Sequence, residues 1–320
     1  MNYRHSFHAG SFADVVKHAV LTRVLLHLRA KPAPFRVIDT HAGAGLYDLA
    51  GEEAGRSGEW RGGIERLLSQ PIGEEARALL APYLETVAAL NVAGGLTVYP
   101  GSPALVRAFL RPQDRLVACE LEPKAASALA RYLAPDRRSK AVAIDGWTAL
   151  NAYVPPKERR GLALIDPPFE DADDFPRLAQ ALEAAHRKWS GGTYLAWYPV
   201  KERAAPAALA SEASGQRGHS IGVRAGHSPE RGSSARDVLA RRLRRSAIPK
   251  VLRAELSIAA PRSATAPGPS EQRLSACGLI VVNPPWTLAG ELAVLLPALA
   301  TVLSVEGAGT HRVDWLAGEK

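Results

Sequence analysis

The sequence predicts an α/β fold built on a doubly wound, mostly parallel sheet. Short apolar segments alternate with stretches of helical periodicity, which is the pattern of such a fold. The apolar segments lie at 35–39, 116–120, 141–146, 161–166, 194–198 and 278–282. Acids stand at the ends of four of them, at Asp39, Glu120, Asp145 and Asp166. Because ligands bind beyond the carboxyl ends of parallel strands, these acids mark the expected site.

The composition is that of an ordinary globular protein. The 320 residues are 47 % hydrophobic and 22 % charged, which excludes a wholly disordered chain, a collagen-like fibre and a coiled coil. Two cysteines exclude a disulfide scaffold and a four-cysteine zinc ribbon. The polar start and the lack of an uncharged apolar run of about 18 residues predict no secretory signal and no membrane span. A cytoplasmic protein is therefore expected.

The positive charge of the chain is concentrated in one stretch. The formal net charge is +8 and the isoelectric point is about 9.6. Residues 211–250 hold nine Lys or Arg against three Asp or Glu, which accounts for +6 of this charge. Overall basicity is therefore only a weak indication of a nucleic-acid partner.

The first third of the chain reads as a helix, a strand and a helical insertion. Ser11 is a helix N-cap with Asp14 three positions later, and apolar spacing predicts a helix over 12–29. The strand at 35–39 ends in a turn of small residues at 40–45. Residues 46–95 show helical periodicity without a strand signal, so we expect a small helical insertion subdomain there.

The rest of the chain continues the alternation within one domain spanning 1–320. A further strand is possible at 96–99, before the strands already given. Residues 204–234 are rich in Ala, Ser, Gly and Arg without an apolar period, which predicts a flexible insertion. A basic helix follows at 236–245, and 261–270 reads as a polar loop.

The sharpest motif is Asp-Pro-Pro-Phe at residues 166–169, directly after an apolar strand. Methylation of an exocyclic amine such as adenine N6 needs acceptors for both amine hydrogens, so that the nitrogen lone pair can face a methyl donor. The carboxylate of Asp166 and a backbone carbonyl of the rigid turn at Pro167 supply them. Phe169 would then stack on a flipped base. The alternative is a strand-terminating turn with a buried Phe.

A second motif of this type, Asn-Pro-Pro-Trp, stands at 283–286. It also follows an apolar strand, and Asn can fill the role of Asp in amine methyltransferases. The catalytic loop of these enzymes follows the strand after the two acidic ligand-binding strands, which is the place of Asp166. We therefore interpret Asn283 as part of a structural turn.

The other strand ends suit a cofactor without a phosphate. Residues 39–45 do not match the dinucleotide fingerprint Gly-x-Gly-x-x-Gly. Glu120 could bridge two ribose hydroxyls, and Asp145 with the Gly146 amide could bind an adenine edge. Solvated acids at strand ends are the alternative for each. No metal-ligand spacing is found, so no metal is expected, and Cys119 and Cys277 are expected to be inert core residues.

These motifs together resemble the ribosomal RNA large subunit methyltransferase J family, along nearly the whole chain. The resemblance rests on YRHSFHAG (3–10), ADVVKH (13–18), DTHAGAG (39–45), YPGSP (99–103), IDPPF (165–169), WYPV (197–200) and NPPW (283–286). It implies a Rossmann-like class I methyltransferase fold with a small helical subdomain. It also implies that S-adenosylmethionine methylates N6 of one adenine in 23S rRNA, leaving S-adenosylhomocysteine.

The resemblance implies a role for individual residues. Asp166 would be the catalytic acceptor for the target amine. Tyr3 would contact the target adenosine, with His5 and Lys17 close by. The cofactor site would be lined by His18, His41, Ser102, Glu120, Asp145, Gly146 and Asp166. Phe169 stands where the family has Tyr, which keeps stacking and loses a hydroxyl contact. The segments 204–234 and 261–270 are longer than in the family.

Three functions are compatible with the sequence. The leading one is adenine-N6 methylation of 23S rRNA, before full subunit assembly, by a monomeric enzyme without a metal. A DNA adenine methyltransferase is the second, although no separate target-recognition domain is evident. The third is a non-catalytic RNA-binding protein that uses the basic helix at 236–245. Binding of S-adenosylmethionine would separate the third from the other two.

Overall fold

A single large sheet organises the protein in the computed structural model, which describes residues 5–171, 173–200, 234–258, 274–304 and 308–318. In chain order the strands are β1 (Arg36–Asp39), β2 (Leu46–Asp48), β3 (Val98–Pro100), β4 (Arg115–Glu120), β5 (Ser139–Ala143), β6 (Gly161–Ile165), β7 (Thr193–Pro199), β8 (Val251–Ser257), β9 (Ala276–Val282) and β10 (Thr310–Ala317). Eight of them form one sheet in the order β10-β8-β9-β7-β6-β1-β4-β5, and β2 pairs with β3 separately.

Strand directions divide the large sheet into two parts. Strands β5, β4, β1, β6 and β7 are parallel to one another. Strand β9 runs antiparallel to both β7 and β8, and β10 runs antiparallel to β8. From the central β1 the chain first builds β4 and β5 on one side and later β6 and β7 on the other. The loops after β1 and β6 therefore separate at a topological switch point, where such sheets bind ligands. The predicted doubly wound, mostly parallel fold is confirmed.

Helices cover both faces of this sheet. They are α1 (Phe12–Arg29), α2 (Glu52–Ser57), α3 (Arg66–Ser69), α4 (Glu74–Ala89), α5 (Ser102–Phe109), α6 (Pro123–Leu133), α7 (Gly146–Tyr153), α8 (Asp174–Lys188), α9 (Ala235–Arg245) and α10 (Leu288–Leu303), with a 3-10 turn at His5–Phe7 and a π-helix at Arg61–Glu65. Alternate residues of β6 enter two apolar cores: Leu162 and Leu164 pack with α1, α5 and α10, whereas Ala163 and Ile165 pack with α8 and α9.

The predicted insertion at 46–95 is helical over most of its length, with one difference. Leu46–Asp48 forms β2, because it pairs with Val98–Pro100. That pairing joins segments about 50 residues apart. The sequence around residues 46–48 therefore carries no local periodicity from which this strand could be predicted. Ile64, Leu80 and Tyr83 are fully buried in the same core as α1, so this segment shares the main core.

Other expectations concern the last third of the chain. The basic helix predicted at 236–245 is α9. The loop 261–270, and all of the segment 204–234 except its last residue, lie outside the described residues. Within the described ranges, no helix combines the length and the apolar character that a membrane crossing requires.

Candidate active site

A cleft of about 630 Å³ opens where the parallel strands end. His41 follows β1, Glu120 ends β4, Asp145 follows β5 and Asp166 follows β6, and all four line the cleft. Parallel strands bring their carboxyl ends to one edge of a sheet, so side chains far apart in the sequence meet there.

The cleft collects most of the predicted site residues. Its lining includes His5, Lys17, His18, His41, Ser102, Glu120, Asp145, Gly146 and Asp166. Tyr3 lies outside the described residues. Pro167 and Phe169 do not line the cleft, whereas Pro168 does.

Polar side chains from three parts of the chain connect to one another and end at Asp166. Lys17 on α1 places its ammonium against Asp166 Oδ2 and also lies 2.8 Å from Asp14 Oδ1. His5 Nε2 is 3.0 Å from Asp14 Oδ2, the oxygen that also accepts a hydrogen bond from the Gly10 amide. These side chains form a continuous polar chain from the N-terminal segment to the end of β6.

Burial and opposite charges set the protonation of this chain. Burial alone would raise the pKa of Asp14, but the neighbouring His5 and Lys17 outweigh it and hold the pKa well below its usual range. Burial would likewise lower the pKa of Lys17, and the carboxylates of Asp14 and Asp166 instead raise it well above its usual value. Lys17 is therefore an ammonium and Asp14 a carboxylate.

His18 is a neutral histidine that uses one ring nitrogen in contacts with the described residues. It is 1 % exposed, and burial lowers its pKa to about 3. Its Nδ1 lies 2.8 Å from the Tyr99 hydroxyl, which lies 2.9 Å from the Tyr83 hydroxyl. Its Nε2 is buried and has no hydrogen-bond partner among the described residues. Since buried polar atoms are normally hydrogen-bonded, this nitrogen marks a place for a ligand.

Asp39 and Ser102 form a second buried polar pair. The Ser102 hydroxyl donates to Asp39 Oδ2 at 2.6 Å, while Oδ1 is buried without a partner among the described residues. Burial raises the pKa of Asp39 to about 7, against the opposing effect of the Ser102 hydrogen bond. This carboxyl therefore changes protonation near neutral pH.

Backbone amides orient the two other strand-end acids. Glu120 accepts hydrogen bonds from the amides of Gly43 and Glu122, both at 2.8 Å. Asp145 caps α7 by accepting from the Thr148 amide at 2.8 Å. Each carboxylate keeps lone pairs for a ligand in the cleft.

Two glycines allow backbone to approach closely at this edge. Gly43 has φ +64°, and a Cβ there would lie 2.0 Å from the Tyr47 hydroxyl. A Cβ on Gly146 would lie 2.4 Å from His41 Nε2. A side chain at position 43 would therefore clash with Tyr47, and one at position 146 would clash with His41 in the loop after β1.

Sequence reasoning missed several residues of the cleft. Asp14 was recognised only as an acid in the first turn of a helix, although its i, i+3 spacing to Lys17 was a signal of their contact. Trp147 and Arg177 also line the cleft, with the Arg177 guanidinium 4.8 Å from the Trp147 ring centroid. The His41 ring meets Trp147 edge-on at 5.5 Å. Local sequence gave no signal for this aromatic cluster.

The position of Phe169 requires a correction. The ring is only 9 % exposed and lies 4.8 Å from Phe175 and 5.8 Å from Trp197, measured between centroids. A φ of +51° accompanies this placement of the ring in the core. The expected stacking on a flipped base is therefore not available to Phe169 in this structure, which matches the alternative of a buried Phe in a turn.

The structural interpretation of Asn283 is confirmed. Its side-chain amide donates to the carbonyl oxygens of Ser190 and Gly192, both at 2.7 Å. Strand β9 runs antiparallel to β7, which is itself parallel to β6. Asn283 therefore lies beyond the opposite ends of the strands from Asp166.

Comparisons with known proteins identify the family. Residues 32–217 and 220–317 match the family model described as "Ribosomal RNA large subunit methyltransferase D, RlmJ". The chain is similar to the proteins named "Ribosomal RNA large subunit methyltransferase J" of Haemophilus influenzae and Escherichia coli, at 34 % identity and over 100 % of each chain. The crystal structure of protein LPL1258 from Legionella pneumophila superposes with a TM-score of 0.75 at 29 % identity, covering 96 % of this chain and 98 % of that one. The chain belongs to the ribosomal RNA large subunit methyltransferase J family.

Proposed function

We propose that this protein transfers a methyl group from S-adenosylmethionine to N6 of an adenine in 23S rRNA. The observation that carries the proposal is the position of Asp166, which lies in one cleft with Glu120 and Asp145. The carboxylate of Asp166 thus faces the same cleft as the carboxylates of Glu120 and Asp145. The names of the relatives support ribosomal RNA as the substrate.

The cleft fits S-adenosylmethionine on two observations. His18 Nε2 is a buried polar atom, without a hydrogen-bond partner among the described residues, that a ligand can satisfy. Carboxylates outnumber Lys and Arg side chains ten to three in the lining, although the whole chain carries +8, which favours a cationic ligand.

Each predicted cofactor residue has a task consistent with its geometry. Glu120, fixed by two backbone amides, would accept hydrogen bonds from the ribose hydroxyls. Asp145 and the Gly146 amide would bind the adenine edge. The polar groups of His18, His41 and Ser102 would line the remaining part of the site.

S-adenosylmethionine, when bound, would supply an electrophilic methyl group, leaving S-adenosylhomocysteine as the neutral product. Asp166 accepts one hydrogen of the target amine, and a backbone carbonyl of the turn that follows Asp166 accepts the other. This turns the nitrogen lone pair toward the methyl donor. As the nitrogen–carbon bond forms, the amine loses one hydrogen as a proton, and Asp166 is the group placed to receive it or to relay it to water.

The basic helix α9 does not favour the alternative of a non-catalytic RNA binder. Arg242 forms two hydrogen bonds with Glu183, at 2.9 and 2.8 Å, and Arg244 pairs with Asp314 at 3.1 Å. Two of its arginines are thus engaged within the protein.

We infer a monomeric cytoplasmic enzyme that acts before the large subunit is fully assembled.

Methyl transfer from labelled S-adenosylmethionine tests the proposal. Protein-free 23S rRNA, assembled large subunits and DNA are compared in parallel, with Asp166→Ala as the inactive control. We expect label in 23S rRNA, more in the protein-free form than in assembled subunits. Label in DNA alone would favour the DNA alternative. Binding of RNA without cofactor binding or transfer would favour the non-catalytic alternative.

A further inference from the structure

Asp14 is a buried carboxylate with an unusual set of partners for its place in a helix. It is 2 % exposed and occupies the third position of α1, after the N-cap Ser11. An acid at this position commonly bonds back to the N-cap amide. Asp14 instead accepts from the Gly10 amide at 3.0 Å and faces His5 Nε2 at 3.0 Å and Lys17 Nζ at 2.8 Å. Its carboxylate therefore connects two side chains of the cleft.

Lys17 stands between two carboxylates and is 4 % exposed. One carboxylate is Asp14 and the other is Asp166, the acceptor for the target amine under the proposed function. We propose that Asp14 is a positioning residue for methyl transfer that acts on the rate through Lys17, whose ammonium it holds at one oxygen of Asp166; it also fixes the ring of His5. This inference rests on the proposed function.

Asp14 and Asp166 share the ammonium of Lys17, and this sharing is the physical reason for the role of Asp14. A lone ammonium beside Asp166 would be free to move between its two oxygens and to compete with the target amine for them. The contact with Asp14 holds Lys17 on Oδ2, which leaves Oδ1 for an amine hydrogen. A displacement of about 1 Å in such an arrangement can lower a rate about 10²-fold.

The contact with His5 has a second consequence. The ring nitrogen Nε2 faces the Asp14 carboxylate, which favours the form with a proton on that nitrogen. Asp14 thus fixes the orientation of a ring that lines the cleft. Both effects act on the substrate side of the site, so affinity for the cofactor should depend little on Asp14.

Asp14→Asn tests the inference, with Asp237→Asn as a matched control. Asp237 occupies the same third helical position in α9, where it forms a capping box with Ser234. Both variants lose a first-turn carboxylate, but only Asp14 contacts Lys17. We expect Asp14→Asn to lower kcat on 23S rRNA about 10²-fold, with affinity for S-adenosylhomocysteine by calorimetry changed less than about threefold. Asp237→Asn should keep wild-type kcat.

A double variant covers the case in which Asp14→Asn does not fold. Removing one member of a buried ion pair is strongly destabilising, whereas removing both is better tolerated. The kcat of Lys17→Gln is compared with that of Lys17→Gln combined with Asp14→Asn. If Asp14 acts through Lys17, the second substitution lowers kcat by less than about threefold, since effects on one contact do not add.

Three outcomes overturn the inference. Wild-type kcat in folded Asp14→Asn is the first, and a further loss of tenfold or more in the double variant is the second. A loss of S-adenosylhomocysteine affinity equal to the loss of kcat is the third, because it would indicate general disruption of the cleft. A wild-type protein that transfers no methyl group to 23S rRNA overturns the proposed function itself, and so is distinguishable from these.

Discussion

The ammonium of Lys17 contacts the carboxylate of Asp166, although 149 residues separate them in the chain. The contact joins the first helix to the end of β6, on the two sides of the cleft. It requires the strands around β1 to be assembled, because β1, β4 and β5 lie between the two residues in the chain. The site is therefore a property of the tertiary fold.

Asp166→Ala should abolish methyl transfer while leaving cofactor binding largely intact. The substitution removes the acceptor that we propose for the target amine, and effects of this kind lower rates by about 10²–10⁴-fold. Asn283→Ala is the control, because it removes two hydrogen bonds at the opposite edge of the sheet. It should cost stability, about 1–3 kcal/mol, without loss of turnover in the folded protein. An active Asp166→Ala with an inactive, folded Asn283→Ala would reverse our choice of motif.

Glu120→Gln and Asp145→Asn should weaken binding of S-adenosylhomocysteine. Each loses charge-assisted hydrogen bonds worth about 1.5–3 kcal/mol, which corresponds to roughly 10–100-fold in affinity. Asparagine at 145 keeps the capping of α7. Glu158→Gln serves as the control, because Glu158 pairs with Arg36 at the start of β1. Calorimetric titration measures the three variants, and unchanged affinity in the first two would contradict the assignment of the cofactor site.

The contribution of Asp39 to the free energy of unfolding should decrease as the pH rises from 5 to 8. Its pKa is raised to about 7 by burial, above the usual value of an unfolded Asp. The native state therefore binds more protons in this window, and the free energy of unfolding falls by about 2–3 kcal/mol as they are lost. Asp39→Asn removes this contribution.

Urea denaturation at pH 5, 6.5 and 8 checks this prediction. The stability of Asp39→Asn relative to wild type should increase steadily with pH, whatever its sign at pH 5. A difference between the two proteins that stays constant over the three pH values would show that Asp39 is already ionised at pH 5.

Gly63→Ala should impair methyl transfer through the N-terminal segment. A Cβ at Gly63 would lie 2.0 Å from the Gly10 carbonyl oxygen, which accepts a hydrogen bond from the Ile64 amide at 2.9 Å. The clash displaces the turn before α1 and, with it, the Gly10 amide that binds Asp14. We expect a loss of stability of about 1–3 kcal/mol and at least tenfold lower turnover.

Gly62→Ala is a closely matched control for this prediction. Gly62 is in the same π-helix, but a Cβ there has no atom within 4 Å. Its melting temperature and turnover should stay near those of wild type. Equal behaviour of the two alanine variants would show that the close approach of Gly63 to Gly10 has no influence on the site.

Much of the fold follows from local patterns in the sequence. Apolar strands that end in acids predicted a parallel sheet, and the sheet then places Glu120, Asp145 and Asp166 at one edge. Two local features were not predictable in this way. Strand β2 depends on a distant partner, and Phe169 turns into the core in a left-handed backbone conformation that its residue type does not encode.

The electrostatics of the site depend on burial, which the sequence does not state. Asp14 and Lys17 have the spacing of an ordinary surface ion pair on a helix. Only the packing of α1 under the cleft makes them 2 % and 4 % exposed and brings Asp166 to the same ammonium. Asp39 likewise reads as one more acid at a strand end, and its raised pKa follows from complete burial.

The nature of the methylated nucleoside tests the central claim most directly. Protein-free 23S rRNA is incubated with S-adenosylmethionine and either wild-type protein or Asp166→Ala, then digested to nucleosides and separated by chromatography with mass detection. We predict one new product, N6-methyladenosine, formed by the wild type and absent with Asp166→Ala. A methylated nucleoside other than N6-methyladenosine, or equal product from the two proteins, would contradict the account.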